Sequence, residues 1–89
     1  MTLKNRDFFF ANTVEDRITI NTSLGSSLNL SYDSLVLIEY LPGKDSYLIK
    51  RKNNSDIKAD LSGQKIIIWP AAAEIIEVDF SYIKKINFN

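Results

Sequence analysis

Hydrophobic and polar residues alternate along this chain with a period of two. The clearest stretch has Ile76, Val78, Phe80 and Tyr82 alternating with Glu77, Asp79 and Ser81. Residues 28–32 repeat the pattern, and residues 18–20 give a weaker copy. Because successive side chains of a strand point to opposite faces, this spacing predicts half-buried β-strands.

Two other stretches are apolar at consecutive positions. They are residues 35–41, where Glu39 is the one interruption, and residues 66–69. Strands that are apolar on both sides lie at the centre of a sheet, or are covered by another layer or by another subunit. Both stretches are therefore predicted to need cover on two faces.

Turn-forming residues separate these stretches at 42–45, 53–55 and 62–63. The predicted strands are 17–21, 27–32, 35–41, 46–52, 56–60, 65–69, 75–82 and 84–88. The expected fold is all-β: a small antiparallel β-sandwich or barrel built as a meander, with an N-terminal extended arm.

The segment from Pro70 to Glu74 allows an alternative. Proline suits the first turn of a helix and alanine is the best helix former, so a helix over 71–85 competes with the strand. The β-branched residues that follow and the period of two favour the strand.

The first sixteen residues show no sustained period, which predicts an arm at 1–16 and a single β domain at 17–89. The arm contains Phe8, Phe9 and Phe10. Three adjacent residues of an extended chain cannot all face one core, so at least one must be covered elsewhere. The hypothesis is that these side chains insert into a neighbouring chain as aromatic anchors.

Composition argues against catalysis. The 89 residues include no histidine and no cysteine, which removes the usual general base and the thiol nucleophile. Glu77 and Asp79 have a spacing that catalytic carboxylates could share, but solvated strand faces produce the same spacing. The chain is expected to be non-enzymatic and to use no cofactor, metal or small-molecule substrate.

Charge is balanced overall, with eleven basic and eleven acidic residues, but it is uneven along the chain. Lys50, Arg51 and Lys52 form a basic cluster, and Glu74, Glu77 and Asp79 form an acidic one. The two clusters either pair across strands within one fold or join neighbouring copies head to tail. These six residues and the three phenylalanines are the candidate partner-binding residues.

Residues 63–82 are similar to a segment of tailed-bacteriophage structural proteins. In that segment a strand, a Pro-Ala-Ala turn and a strand ending in aromatic-Ser-Tyr form a hairpin of tail and fibre-attachment modules. The matching parts here are 66–69, 70–73 and 75–82. The resemblance implies a virion component, such as a tail, baseplate, neck or fibre-adaptor subunit.

The expected partners are therefore copies of this chain and other virion proteins. A membrane partner is not expected, since no apolar run approaches roughly 20 residues. The virion is the expected location, with the cytoplasm as the alternative.

Two alternative functions remain. One is an inhibitor that binds a host protein. The other is a barrel that binds single-stranded nucleic acid through the basic cluster with Tyr40 and Tyr47 nearby.

Overall fold

The computed structural model describes residues 1–8, 10–21, 25–43, 46–61, 63–70 and 74–88. These residues form ten strands and two short 3₁₀ turns, with no α-helix among them. The strands are β1 (Thr2–Leu3), β2 (Ala11–Thr13), β3 (Arg17–Asn21), β4 (Ser27–Ser31), β5 (Leu35–Leu41), β6 (Ser46–Arg51), β7 (Ile57–Ala59), β8 (Lys65–Pro70), β9 (Ile76–Asp79) and β10 (Ile83–Asn87).

All strand pairs are antiparallel, which confirms the predicted all-β class. A five-stranded sheet has the order β1-β10-β5-β6-β7, a three-stranded sheet has the order β2-β8-β9, and β3 pairs with β4. Neighbours in sequence pair as a meander predicts, whereas β10, β1 and β2 pair with strands that are distant in the chain. The described residues contain no helix that is long and apolar enough to cross a membrane.

The two stretches that are apolar at consecutive positions lie at the centres of their sheets, as predicted. β5 lies between β10 and β6, and β8 lies between β2 and β9. Their inward side chains join a single core that also takes residues from β3, β4 and β6. Ile38, Ile49 and Phe80 are fully buried there.

The alternative helix over 71–85 is wrong where the structure describes this segment. Residues 74–82 contain strand β9 followed by a 3₁₀ turn at Phe80–Tyr82. Asp79 begins this turn by accepting a hydrogen bond from the backbone N–H of Ser81, at 2.9 Å. Residues 71–73 lie outside the described residues.

The first sixteen residues contribute two strands that the alternation did not predict. Thr2 of β1 pairs with Lys85 of β10, and Asn12 of β2 pairs with Trp69 of β8. The segment therefore contributes an edge strand to each of the two larger sheets.

The fold repeats itself with an offset of 48 residues. In the first hairpin Arg17 pairs with Ser31, and in the second Lys65 pairs with Asp79, each partner 48 positions further on. The strand that follows each hairpin is reached through a 3₁₀ turn, Tyr32–Ser34 in the first half and Phe80–Tyr82 in the second.

Backbone details repeat with the same offset. The N–H of Lys52 donates to the carbonyl of Ser34, and the N–H of Lys4 donates to that of Tyr82, both at 2.9 Å. The two non-glycine residues with positive φ among those described, Arg6 (75°) and Asn54 (63°), are also equivalent.

Isolated bridges complete the correspondence. The bridge between Asn21 and Asp60 is the equivalent, 48 positions away, of the pair between Trp69 and Asn12. The bridge between Thr2 and Phe8, when shifted by 48 positions, falls in the register in which β6 pairs with β7. All ten strands then follow one order, β4-β3-β7-β6-β5-β10-β1-β2-β8-β9. A pseudo-two-fold axis passes between Ile38 and Ile86, which face each other across β5 and β10.

Candidate interaction surface

The outer side of the three-stranded sheet carries a cluster of apolar side chains. Paired residues of antiparallel strands share a face, so Trp69 lies beside Asn12, and Ile67 beside Glu77. Alternation places Phe10 and Val14 on the Asn12 side and Ile75 on the Glu77 side. The N–H of Val14 donates to the carbonyl of Ile67 at 3.1 Å and continues the pairing. The apolar face is defined as Phe10, Val14, Ile67, Trp69 and Ile75.

Four of the five members of the apolar face are exposed. The exposed fraction is 77% for Phe10, 57% for Trp69, 55% for Ile75 and 44% for Val14, and Ile67 is half-buried. Single exposed apolar residues are ordinary on a soluble protein, but contiguous ones mark interaction sites.

The predicted phenylalanine cluster adjoins this face. Phe8 is 56% exposed and packs edge-to-face against Phe10, with ring centroids 5.1 Å apart. Neither ring is buried by its own fold, as the hypothesis of an inserted aromatic anchor requires. Phe9 lies outside the described residues.

The equivalent face in the other half of the fold is polar. The residues 48 positions from Phe10, Ile67, Trp69 and Ile75 are Lys58, Thr19, Asn21 and Ser27. All four are exposed on the same backbone arrangement. The same backbone arrangement therefore carries polar residues in one half of the fold and apolar residues in the other.

One end of the apolar face is charged. Lys65 forms an ion pair with Glu77, with Nζ and Oε2 3.7 Å apart. The equivalent contact in the first half is a hydrogen bond of 2.5 Å from Arg17 Nε to the Asn29 side chain. Hydrogen bonds from the backbone and side chain of Ser81 hold the pKa of Asp79 below its ordinary value. Glu74 is exposed just before β9.

The structure separates the members of the basic cluster. Lys50 is exposed opposite Leu37, and Lys52 is exposed in the turn after β6. Arg51 is half-buried, and its Nε is buried without a hydrogen-bond partner among the described residues.

The basic and acidic clusters do not pair across strands. β6 lies between β5 and β7, whereas β9 pairs with β8 in another sheet. The interpretation of cross-strand pairing between them is therefore wrong.

Neither tyrosine near the basic cluster offers an open stacking surface. Tyr47 is 5% exposed, and its hydroxyl donates to the carbonyl of Phe80. Tyr40 is half-buried, and the Lys4 ammonium lies 3.7 Å from its ring centroid. The nucleic-acid hypothesis thus loses the stacking aromatics on which it rested.

An open depression between β3 and the start of β8 is lined by Glu15, Arg17, Ile18, Thr19, Tyr32, Gln64 and Lys65. A shallow polar surface of this kind does not enclose a small molecule. No group of three or more acidic residues within the described part of the chain is placed to hold a metal ion.

Sequence reasoning identified Phe8, Phe10 and Glu77 in this region but missed Val14, Ile67, Trp69 and Ile75 as surface residues. The available signal was the run at 66–69, which was expected to need cover on both faces.

Comparison of the chain with protein-family models, curated proteins and solved structures finds no match.

Proposed function

We propose that this chain is a non-enzymatic assembly subunit whose apolar face binds another protein chain. The observation that carries the proposal is the contrast between the two halves of the fold. Trp69 and Ile67 stand where the first half has Asn21 and Thr19, so the same strand positions carry apolar side chains in one half and polar ones in the other.

The physical gain comes from burial. Aromatic side chains bury 150–250 Å² each, so Phe10 and Trp69 together offer roughly 200–300 Å² of mostly apolar surface to a partner. At about 25 cal/mol per Å² this area favours association by several kcal/mol before the cost of ordering the partners. Aromatic residues at the centre of an interface are also the commonest hot spots.

The proposed setting is the virion of a tailed phage, as a tail, baseplate, neck or fibre-adaptor subunit. One observation and one general property of virion subunits support it. β8 and β9 form an antiparallel pair within the segment that resembles phage structural proteins. Virion subunits also complete the burial of their apolar surface by assembly, which is what the apolar face requires.

The test replaces the apolar face with its own polar equivalents. The variant carries Phe10→Lys, Ile67→Thr, Trp69→Asn and Ile75→Ser, which are the residues found 48 positions away. In cells that produce the proposed particle, the wild-type chain is expected to co-sediment with purified particles. The variant is expected to stay in the unassembled fraction while keeping its circular dichroism spectrum.

A matched control carries conservative changes on the equivalent polar face, Thr19→Ser and Asn21→Ser, and is expected to sediment with the particles. Incorporation of the four-residue variant at the wild-type level would refute the apolar face as the binding surface. A wild-type chain that never sediments with particles would refute the virion setting.

A further inference from the structure

Strand β4 lies at an edge of its sheet. Among the described residues, β3 is the only strand that pairs with it. The N–H of Tyr32 donates to the carbonyl of Asp16 at 2.9 Å, so the alternation of an antiparallel ladder makes Leu30 and Leu28 the residues that hydrogen-bond to β3. The residues whose backbone groups point away from β3 are Ser27, Asn29 and Ser31.

This edge lacks the features that keep edge strands from pairing. Native proteins protect such edges with charged side chains, proline or bulges. β4 reads Ser-Leu-Asn-Leu-Ser and pairs with β3 in an unbroken register. The equivalent edge strand β9 carries Glu77 at the position that corresponds to Asn29, and Asp79 two residues further on. One edge of the strand order is therefore charged and the other is not.

The sequence of β4 is a palindrome centred on Asn29. When two copies of a strand pair antiparallel about a two-fold axis, each residue faces the one at the same distance on the other side of the axis. Here Leu28 would face Leu30, Ser27 would face Ser31, and Asn29 would face itself. Every pair then matches like with like, and the residues that hydrogen-bond in this register are those whose backbone groups point to the edge.

We infer that β4 is a strand-addition site and that its occupant is β4 of a second copy of this chain, in an antiparallel pair centred on Asn29. The inference goes beyond the proposed function, because it uses a surface separate from the apolar face. The pair joins the β3–β4 hairpins of two copies into one four-stranded sheet, which is recognition by β-augmentation in an isologous dimer. Such a dimer carries two apolar faces.

The side chains on both faces of β4 fit this pair. Leu30 is 7% exposed, whereas Leu28 is 37% exposed at the margin of the core. The two leucines face each other between the hydrogen-bonded pairs, where Cβ atoms lie about 4.5–5.5 Å apart, so the dimer covers the exposed one. On the outer face, the side-chain oxygen of Asn29 accepts from Arg17 Nε, which leaves the amide N–H groups to face the second Asn29.

The backbone acceptors and the charges are also compatible. The carbonyl of Ser31 accepts from the hydroxyl of Ser34 at 2.6 Å, and its second lone pair can accept from the other copy. The charges of the hairpin, on Asp16, Arg17 and Asp33, lie at the Ser31 end, and residues 21–27 at the other end carry none. An antiparallel pair sets each charged end beside an uncharged end, so no like charges face each other.

The test uses the pairing of Asn29 with itself. Asn29→Glu and Asn29→Lys each place like charges directly opposite one another, so each full-length variant is expected to be monomeric. An equimolar mixture of the two is expected to form a heterodimer, because a glutamate then faces a lysine. Both variants should keep the circular dichroism spectrum of the wild type, since β9 carries a charged residue at the equivalent position.

Light scattering measures the association. A strand pair of five residues buries little surface and makes a weak dimer. The wild type is therefore expected to approach twice the mass of one 10.2 kDa chain as its concentration rises from about 10 μM to 1 mM. A wild-type chain that stays monomeric over this range, or a mixture that does not associate, would overturn the inference.

Cysteine substitutions locate the contact, since the chain has no cysteine of its own. Asn29→Cys places two Cα atoms about 5.5 Å apart in the dimer, within the range that a disulfide bridges. The matched control is Glu77→Cys, at the equivalent position of the charged edge. Asn29→Cys is expected to form a covalent dimer at least about tenfold faster than Glu77→Cys, and equal rates would contradict the assignment to β4.

Failure of this inference can be told apart from failure of the proposed function. A variant with Ile67→Thr and Trp69→Asn damages the apolar face and is expected to dimerise as the wild type does. If it is monomeric while Asn29→Glu still dimerises, the two copies meet through the apolar face, which refutes the β4 pair and supports the proposed binding surface.

Discussion

Asn21 and Trp69 occupy the same position in the two halves of the fold. Asn21 is at the end of β3 opposite Asp60, and Trp69 is at the equivalent point of β8 opposite Asn12. Both side chains are exposed, so the same strand geometry carries an amide in one case and an indole in the other. Because the fold is duplicated, each half serves as a control for the other: a residue that the architecture requires should recur in both halves.

Trp69→Asn is therefore expected to change the free energy of unfolding by less than about 1 kcal/mol, as for other exposed positions. The adjacent residue is the matched control. Ile68 is 1% exposed, and Ile68→Ala is expected to cost about 2–5 kcal/mol through the lost burial and the cavity left behind. Urea unfolding followed by circular dichroism compares the two. A loss of several kcal/mol for Trp69→Asn would show that the indole supports the fold.

How far the sequence predicts this structure depends on whether strands are long enough to show a period. The bounds predicted for β3 at 17–21 and for β5 at 35–41 match the structure residue for residue. β1 and β2 have two and three residues, too few for a pattern, and they pair with strands more than fifty residues away.

The internal repeat is also hidden in the sequence. With a shift of 48 residues, six of 41 aligned positions are identical. They are Lys4/Lys52, Asn5/Asn53, Ala11/Ala59, Ile18/Ile66, Ile20/Ile68 and Ile38/Ile86. Only the strand registers reveal the repeat, and without it the exposed side of the 66–69 run cannot be recognised as a surface.

Arg6 and Asn54 provide a second comparison between the halves. Both have positive φ, at 75° and 63°, in equivalent turns. Asparagine tolerates this left-handed conformation better than arginine, whose Cβ is crowded there. Arg6→Asn is expected to stabilise the fold by several tenths of a kcal/mol, and the reverse change Asn54→Arg to destabilise it by a similar amount. The midpoints of urea unfolding measure both changes, and a stabilising Asn54→Arg would contradict the explanation.

Because Tyr47 and Tyr32 are buried, the fold is expected to lose stability at alkaline pH. Burial raises the pKa of Tyr47 to about 12, and burial with the charge of Glu15 raises the pKa of Tyr32 to about 12, from an ordinary value of 10.0. Below pH 10 both tyrosines are protonated in the folded and the unfolded chain, so their contribution is fully present. As the pH rises from 10 towards 12 the unfolded chain loses these protons first, and stability falls.

The variant Tyr47→Phe isolates one of the two groups. This variant is expected to lower the free energy of unfolding by about 1–3 kcal/mol at neutral pH, because the buried carbonyl of Phe80 loses its hydrogen-bond donor. It should also show a shallower decline between pH 10 and 12 than the wild type, when unfolding is measured across that range. Tyr82→Phe is the control for the loss at neutral pH, since Tyr82 is 67% exposed and its replacement should leave the free energy of unfolding there unchanged. Equal pH dependence in Tyr47→Phe and the wild type would contradict the assignment.

The pseudo-two-fold axis makes β1 and β10 the counterpart of the hairpin formed by β5 and β6. Leu3 pairs with Ile83 as Arg51 pairs with Leu35. In the first half, residues 41–48 connect Tyr40 and Ile49, whose counterparts in the second half are Phe88 and Met1. A circular permutant that joins Asn89 to Met1 through about seven Gly/Ser residues, with new termini after Gly43, is therefore expected to fold.

Its circular dichroism spectrum and its urea m-value should match those of the original chain, because the buried surface is the same. The matched control uses the same linker but opens the chain between Leu37 and Ile38, in the central strand of the five-stranded sheet. That permutant is expected to be unfolded, since it breaks the strand that holds the two halves together across Ile38 and Ile86. If the first permutant is unfolded as well, the equivalence of β1 and β10 with the β5–β6 hairpin does not extend to the way in which the two strands can be connected.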